Sequence, residues 1–92
     1  MNEFKWNKRK AELNLADHGV SFEEASTVFD DQRYLIFDDP VHSWDENRYI
    51  AIGMSDQSRL LFVSYTERES KIRLISAREV TRRERKQYEE DI

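Results

Sequence analysis

Apolar residues divide the second half of the chain into four predicted strands. Arg48–Met54 and Lys71–Ala77 are predicted strands, whose side chains alternate between two faces. Arg48, Ile50 and Ile52 share a face of the first strand, and Ile72 and Leu74 share a face of the second. Tyr34–Phe37 is a shorter apolar strand, and Leu60–Thr66 is apolar throughout, as expected of a central strand covered on both faces. Short polar turns connect the last three strands, so the pattern predicts a meander of adjacent strands.

The first third of the chain carries the spacing and the end signals of a helix. After a short predicted strand, Glu3–Trp6, Asn7 is a suitable cap for a helix over Lys8–His18, and Gly19 occupies the position of a left-handed stop residue. The face expected to be buried consists of Ala11, Leu15 and His18. For His18, capping of the last carbonyls is the alternative to a catalytic role.

Two further helices are located by capping-box motifs. Ser21–Glu24 fits this motif, with its glutamate expected to reach back, and predicts a second helix that ends near Phe29. Near the C-terminus, both Ser76 and Thr81 are followed by a glutamate at the third position. Thr81 is favoured as the start of the last helix, because Ser76 still belongs to the strand alternation.

The order of the elements predicts the class of fold. A strand, two helices, four adjacent strands and a last helix indicate an α+β fold with a small antiparallel sheet. We expect one domain, residues 1–92. The absence of cysteine excludes disulfides and thiolate catalysis, and a reducing cytoplasm is the expected compartment. No apolar run is long enough to span a bilayer, and the N-terminus lacks the apolar core of a signal peptide.

Charge is distributed unevenly along the chain, whose net charge is −4. Residues 11–58 hold two basic and eleven acidic residues, whereas residues 59–86 hold nine basic and four acidic residues. This asymmetry indicates one surface for an anion and another for a cationic or neutral partner.

One group of residues with suitable chemistry is His42, Glu46 and Arg48. An imidazole, a carboxylate and a guanidinium within seven residues suit general acid–base catalysis beside an anion. The alternative is an exposed loop with an ordinary Glu–Arg pair. His42 with its acidic neighbours is also a conceivable site for a hard cation, but turn formation and solubility explain those acids better: Asp38, Asp39, Asp45 and Glu46. We therefore expect no metal and no cofactor.

The second group consists of arginines on adjacent strands and on the last helix. Arginine stays charged, binds phosphate through two nitrogens and stacks on unpaired bases. Aromatic residues that offer surface for stacking are Trp44, Tyr49, Tyr65 and Tyr88. A solvated helix with i,i+4 ion pairs explains the C-terminal part equally well. The arginines are Arg68, Arg73, Arg78, Arg82, Arg83 and Arg85.

Several blocks of residues follow one another in an order and spacing that cover nearly the whole chain. They are Phe4-x-Trp6-Asn7, His18–Ala25, His42-Ser43-x-x-Glu46-x-Arg48, Ile52-Gly53, Thr66-Glu67-Arg68, Ile75–Arg78 and Thr81–Glu89. Together these blocks resemble the BrnT family of bacterial toxins.

The resemblance implies a RelE-like fold, with helices packed on one side of the sheet, and the toxin half of a type II toxin–antitoxin pair. The implied activity is metal-independent endoribonuclease cleavage that inhibits translation and growth. The implied partner is a BrnA-type antitoxin with a ribbon-helix-helix part, and DNA is bound only through the complex with that antitoxin.

Roles for individual residues follow from the same resemblance together with their chemistry. Glu46 or His42 is expected to transfer protons, and Arg48, Arg68 and Arg78 are expected to hold the phosphate during attack of the ribose 2′-OH. Further contacts with RNA are expected from Arg73, Arg82, Arg85 and Tyr88. The alternative from another class is a non-enzymatic module that binds nucleic acid or protein and regulates transcription.

Overall fold

A computed structural model describes residues 2–90 of the chain. Three α-helices and five strands follow the order predicted from the sequence, and two short 3₁₀ turns lie at Thr27–Asp30 and Pro40–His42. The elements are β1 (Phe4–Lys5), α1 (Lys8–His18), α2 (Phe22–Ser26), β2 (Leu35–Asp38), β3 (Arg48–Met54), β4 (Leu60–Arg68), β5 (Lys71–Glu79) and α3 (Arg82–Glu90). The α+β class is therefore confirmed.

The five strands form one sheet in the order β1-β5-β4-β3-β2. Strands β2 to β5 make the predicted antiparallel meander. The expectation of a purely antiparallel sheet was incomplete, because β1 pairs with β5 in parallel through Phe4 with Ile72 and Lys5 with Arg73. This pairing places the start of the chain beside the last strand.

Helices cover both faces of the sheet, but unequally. The helix face, packed under α1 and α2, contributes Ala51, Leu61, Val63 and Tyr65 to the main core. Side chains alternate along a strand, so the neighbouring residues lie on the other side, called here the second face. There Tyr88 of α3 packs on a smaller cluster that contains Ile52 and Leu60. Helices on one side only, as the resemblance implied, are therefore not what the structure shows.

Helix α1 has the predicted ends and a different inner face. The Asn7 side chain accepts a hydrogen bond from the Lys10 amide at 3.0 Å, and Gly19 has φ 69°. Leu15 and His18 are exposed, contrary to expectation, and the buried residue is Asn14. Its amide donates to the Ala77 carbonyl at 2.8 Å and accepts from the Ala77 N–H at 3.0 Å. The Asn14 side chain thus pairs with the backbone groups of Ala77, which the short β1 does not reach.

The two capping boxes form to different extents. The Ser21 hydroxyl accepts from the Glu24 N–H at 3.0 Å, but the Glu24 carboxylate binds Arg59 and Ser55 instead of reaching back. The second box is complete. The Thr81 hydroxyl accepts from the Glu84 N–H at 3.2 Å, and the Glu84 carboxylate accepts from the Thr81 N–H at 2.9 Å. Thr81, as predicted, precedes the first residue of α3.

Strand β5 contains a bulge that changes which side chains share a face. Ser64 of β4 pairs with Ser76, and the next residue, Tyr65, pairs with Leu74, so Ile75 is an additional residue in β5. In a regular strand, residues 73 and 78 point to opposite faces because their separation is odd. The bulge places Arg73 and Arg78 on the same face of the sheet.

Candidate active site

A row of basic side chains crosses the second face. Arg48 of β3 lies opposite Thr66 of β4, and Thr66 lies opposite Arg73 of β5. The parallel pairing of β1 extends the row, because Lys5 lies opposite Arg73. Thr66 is buried in the middle of the row, and its hydroxyl donates to the Asn47 carbonyl at 2.7 Å. The four strands therefore align three cations, Lys5, Arg73 and Arg48, and the buried Thr66 lies between the two arginines.

Glu46 joins this row through an ion pair with Arg68, at the end of β4. Arg68 Nε donates to one carboxylate oxygen of Glu46 at 2.6 Å and Nη2 donates to the other at 2.8 Å. The hydrogen bonds from Arg68, with further help from the charges of Arg48 and Arg73, hold the pKa of Glu46 below its usual value. Glu46 is therefore a carboxylate at neutral pH, set among three guanidinium groups.

His42 lies on the loop before β3 and is oriented by Asp39. The distance from His42 Nδ1 to Asp39 Oδ2 is 2.9 Å. A carboxylate at this nitrogen favours the tautomer with a proton on Nδ1, which leaves Nε2 free to accept a proton. The Ser43 hydroxyl braces the loop, since it donates to the Asp39 carbonyl at 2.7 Å and accepts from the Arg48 N–H at 2.9 Å.

The loop and β3 together enclose an open cavity beside the basic row. Its volume is about 300 Å³, and it is lined by His42, Trp44, Asp45, Glu46 and Arg48. All three residues of the predicted imidazole, carboxylate and guanidinium group thus border one space. A base, a fixed carboxylate and several arginines around one cavity can bind an anion and move a proton beside it.

Arg78 lies apart from this group. It is paired with Phe62, four residues along β4 from Thr66, or about 13 Å at the usual rise of a strand. Its guanidinium makes two hydrogen bonds to Glu84, at 2.8 and 2.9 Å, and lies 4.0 Å from the centre of the Phe62 ring. The hydrogen bonds with Glu84 raise the pKa of Arg78. Arg78 fastens α3 to the sheet, and the structure does not bring it to the cavity.

The other residues predicted to contact RNA lie on two elements: Arg73 on β5, and Arg82, Arg85 and Tyr88 on α3. Arg73 belongs to the basic row. Tyr88 is 6% exposed, and its hydroxyl donates to Asp31 at 2.6 Å, so its ring packs in the protein and does not present a face for stacking. Arg82 and Arg85 are exposed on α3 and do not line the cavity.

Several residues of this region were not foreseen from the sequence. Lys5 and Lys71 line a second depression together with the predicted Arg68 and Arg73. Asp39 was considered only as a turn residue or a cation ligand. The position of Lys5 could not be predicted from the sequence, because it depends on the parallel pairing of β1. The contact between Asp39 and His42 could have been predicted from their spacing of three residues.

Two other properties bear on the kind of site. In the stretch from residue 2 to residue 90, no three His, Asp or Glu side chains come together as possible metal ligands. Over the same residues, none of the helices has the length and apolar character needed to cross a membrane.

The fold and the cavity beside the basic row define a small α+β domain with a surface suited to an anion. A family model described as the ribonuclease toxin BrnT of type II toxin–antitoxin systems matches residues 6–84. The chain belongs to the BrnT family of ribonuclease toxins. That membership implies an RNA substrate and an antitoxin partner.

A solved structure shares the fold. The crystal structure of the Brucella abortus ribonuclease toxin BrnT superposes with a TM-score of 0.67, covering 89% of this chain and 100% of that one at 20% identity. No curated protein matches the chain in sequence.

Proposed function

We propose that this protein is an endoribonuclease that cleaves RNA without a metal ion, by attack of a ribose 2′-OH on the adjacent phosphate. The observation that carries the proposal is the cavity at which His42, Glu46 and Arg48 meet the basic row of the second face. In this reaction the 2′-oxygen bonds to phosphorus, the bond from phosphorus to the 5′-oxygen breaks, and that leaving oxygen takes up a proton. The reaction therefore needs a base, an acid and an anion-binding surface, and no covalent enzyme intermediate.

The phosphate is proposed to bind Arg48 and Arg73, with Arg68 as the third partner. Arg68 is held by Glu46 in the free protein. An RNA phosphate is the same kind of ligand for a guanidinium as the Glu46 carboxylate, so the substrate competes with Glu46 for Arg68. Arginines around the phosphate then stabilise the additional negative charge of the phosphorane.

The proposed base is His42. Its Nε2 accepts the proton of the 2′-OH, while Asp39 holds the ring and stabilises the imidazolium that forms. Glu46 is the other candidate, and its lowered pKa makes it a weaker base and a poor proton donor. Once Arg68 turns to the phosphate, Glu46 becomes a better base.

Incubation of the purified chain with RNA in chelator tests the activity. Cleavage should persist in chelator and should leave 2′,3′-cyclic phosphate ends. Arg48→Ala should slow cleavage about 100-fold and His42→Asn between about 100- and 10,000-fold, the ranges for an electrostatic donor and a general base. Arg9→Ala, which removes an exposed arginine of α1 on the helix face of the sheet, is the matched control and should cleave at the wild-type rate.

Normal cleavage by folded Arg48→Ala and His42→Asn proteins would overturn these roles. A chain that binds RNA but never cleaves it would favour the non-enzymatic regulatory module. Activity that disappears in chelator and returns with a divalent cation would replace the metal-independent mechanism.

We further propose a BrnA-type antitoxin with a ribbon-helix-helix part as the neutralising partner, with DNA bound only through the complex. The acidic first half of the chain supports a basic partner segment. The meander with helices against it also supports kinship with RelE-like toxins. Growth arrest on expression of this chain alone, relieved by the product of an adjacent small gene, is the expected result. Relief without a complex on gel filtration would refute direct neutralisation.

A further inference from the structure

Trp44 is the most exposed large apolar side chain in the described part of the molecule, with 87% of its surface accessible. It packs in neither of the two core clusters of residues 2–90. Single apolar residues at a surface are common, so exposure alone assigns no role. The position of this ring and the way it is held are what distinguish it.

The indole is fixed in its exposed position. Its Nε1–H donates to the Val41 carbonyl at 2.7 Å, within the turn that also carries His42. The same loop is tied to β3 by the Ser43 hydroxyl, which accepts from the Arg48 N–H. The polar atom of the side chain is therefore satisfied inside the protein, and the aromatic surface faces solvent. A ring ordered in advance loses little conformational freedom when a ligand stacks on it.

The ring lies beside the residues proposed to act in cleavage. Trp44 lines the same cavity as His42, Glu46 and Arg48. An aromatic face next to a phosphate-binding arginine is the combination by which proteins hold single-stranded nucleic acid. A surface for an apolar protein segment lacks this adjacent row of cations, so RNA is the ligand that the surroundings of Trp44 favour.

We propose that Trp44 is a stacking platform for one unpaired nucleobase of the RNA strand whose phosphate lies at Arg48. The inference rests on the proposed function and adds a base-binding subsite beside the cleavage site. Bases within a duplex already stack on their neighbours, so the subsite selects single-stranded RNA.

Tryptophan fluorescence tests the contact directly. The only other tryptophan, Trp6, packs edge-on against Phe22 with ring centres 6.0 Å apart. A Trp6→Phe protein keeps an aromatic ring there and makes Trp44 the sole reporter. The probe is a single-stranded 2′-O-methyl oligonucleotide of about ten nucleotides, a length within known site sizes, which lacks the 2′-OH needed for cleavage. Binding should quench Trp44, and the same sequence as a duplex should not.

Affinity measured with a labelled probe gives the second test. Trp44→Ala should bind the single strand about 5- to 150-fold more weakly, the range for loss of one base stack. Trp44→Phe should recover most of this loss. The matched control is Leu15→Ala, which truncates an exposed apolar side chain of α1 and should bind like the wild-type protein.

Abasic oligonucleotides separate stacking from a general effect on the loop. In the wild-type protein, one abasic position should weaken binding by as much as Trp44→Ala does. With Trp44→Ala, that position should cause no further loss, because the two changes remove the same contact.

Three results overturn the proposal. Unchanged fluorescence at saturation, with full affinity in Trp44→Ala, refutes stacking but leaves cleavage and the roles of Arg48 and His42 standing. A Trp44 signal that responds to the antitoxin and not to RNA identifies a protein contact instead. Wild-type protein that neither binds nor cleaves RNA overturns the proposed function, and the base subsite fails with it.

Discussion

Two glutamate–arginine pairs of similar geometry differ in how much water reaches them. Glu24 of α2 binds Arg59, and the side chains are 2% and 29% exposed. Glu46 binds Arg68 on the second face, and the side chains are 31% and 58% exposed. Each arginine uses two nitrogens. The chemistry is the same, and the surroundings decide what each pair does.

The buried pair is part of the scaffold. Arg59 also donates to the Gly19 carbonyl at 3.0 Å, and the Ser55 hydroxyl donates to Glu24 at 2.7 Å. Together these bonds join the end of α1, helix α2 and the hairpin between β3 and β4. A charge left alone there is expensive because water cannot replace the partner.

The exposed pair contributes little to stability, because water competes for both charges. For that reason it can open without unfolding the sheet. A phosphate that displaces Glu46 gains an arginine already aimed at the second face. The comparison teaches that solvent access separates arginines that hold the fold from arginines available to a ligand.

The largest expected effect is on the buried pair. Glu24→Ala should lower the free energy of unfolding by about 2 kcal/mol, because Arg59 loses its main partner and the Ser55 hydroxyl loses its acceptor. Denaturant unfolding measures this loss, and RNA cleavage under conditions where the variant is folded should remain near the wild-type rate. A change below about 1 kcal/mol would show that the pair is not needed by the scaffold.

Disruption of the exposed pair should reduce RNA cleavage and leave stability unchanged. Arg68→Ala should reduce RNA cleavage about 100-fold through loss of a phosphate partner, with the melting temperature unchanged. Arg59→Lys provides the opposite pattern, a less stable protein with near-normal cleavage when folded. Should Arg68→Ala lower the melting temperature as strongly as Glu24→Ala does, the proposed division between the two pairs is wrong.

Acid should destabilise the scaffold through the carboxylates of Glu24 and Glu84, which are paired with arginines. Hydrogen bonds from Arg59 lower the pKa of Glu24, and those from Arg78 lower the pKa of Glu84. Their stabilising contributions are complete above the ordinary glutamate pKa of about 4.3 and are lost as the pH falls through the lower values of the folded protein. Unfolding measured between pH 6 and pH 3 should show this loss, and Glu24→Gln should reduce its slope. An unchanged slope in that variant would contradict the assignment.

The smallest effect is expected at the hairpin beside Arg68. Glu69 and Ser70, which join β4 to β5, have φ values of 52° and 65°, a region that disfavours residues with a Cβ atom. Ser70→Gly should therefore raise the free energy of unfolding by about 1 kcal/mol. Ser58 in the other hairpin has φ 59°. Ser58→Gly is therefore a second test of the same strain and should give a similar gain in stability. A loss of stability in both variants would exclude strain at these turns.

Local signals made much of the fold predictable. Asn7, Gly19 and Thr81 act through hydrogen bonds or backbone angles within a few residues, and the sequence shows these directly. The period of the strands likewise assigned most side chains to a face. These features depend on short stretches of chain.

Other features depend on contacts between distant residues and could not be predicted. Asn14 bonds to Ala77 because β1 ends early and leaves the outer edge of β5 unpaired at that residue. The site was predicted in part: His42, Glu46 and Arg48 are close in sequence, whereas the pairing of Glu46 with Arg68 spans 22 residues. The separation of Arg78 from the cavity was not foreseen, because its pairing with Glu84 of α3 was not recognised.

The bulge at Ile75 has a consequence for how the chain tolerates changes in length. One additional residue lets β5 offer Arg73 to the basic row and, further on, Arg78 to α3. Deletion of Ile75 would remove the bulge and leave Arg73 and Arg78 an even number of positions apart, so both would stay on the second face of a regular strand. Such a deletion should therefore keep both the cavity and the attachment of α3. The bulge thus absorbs one residue of chain length between the basic row and the anchor of the last helix.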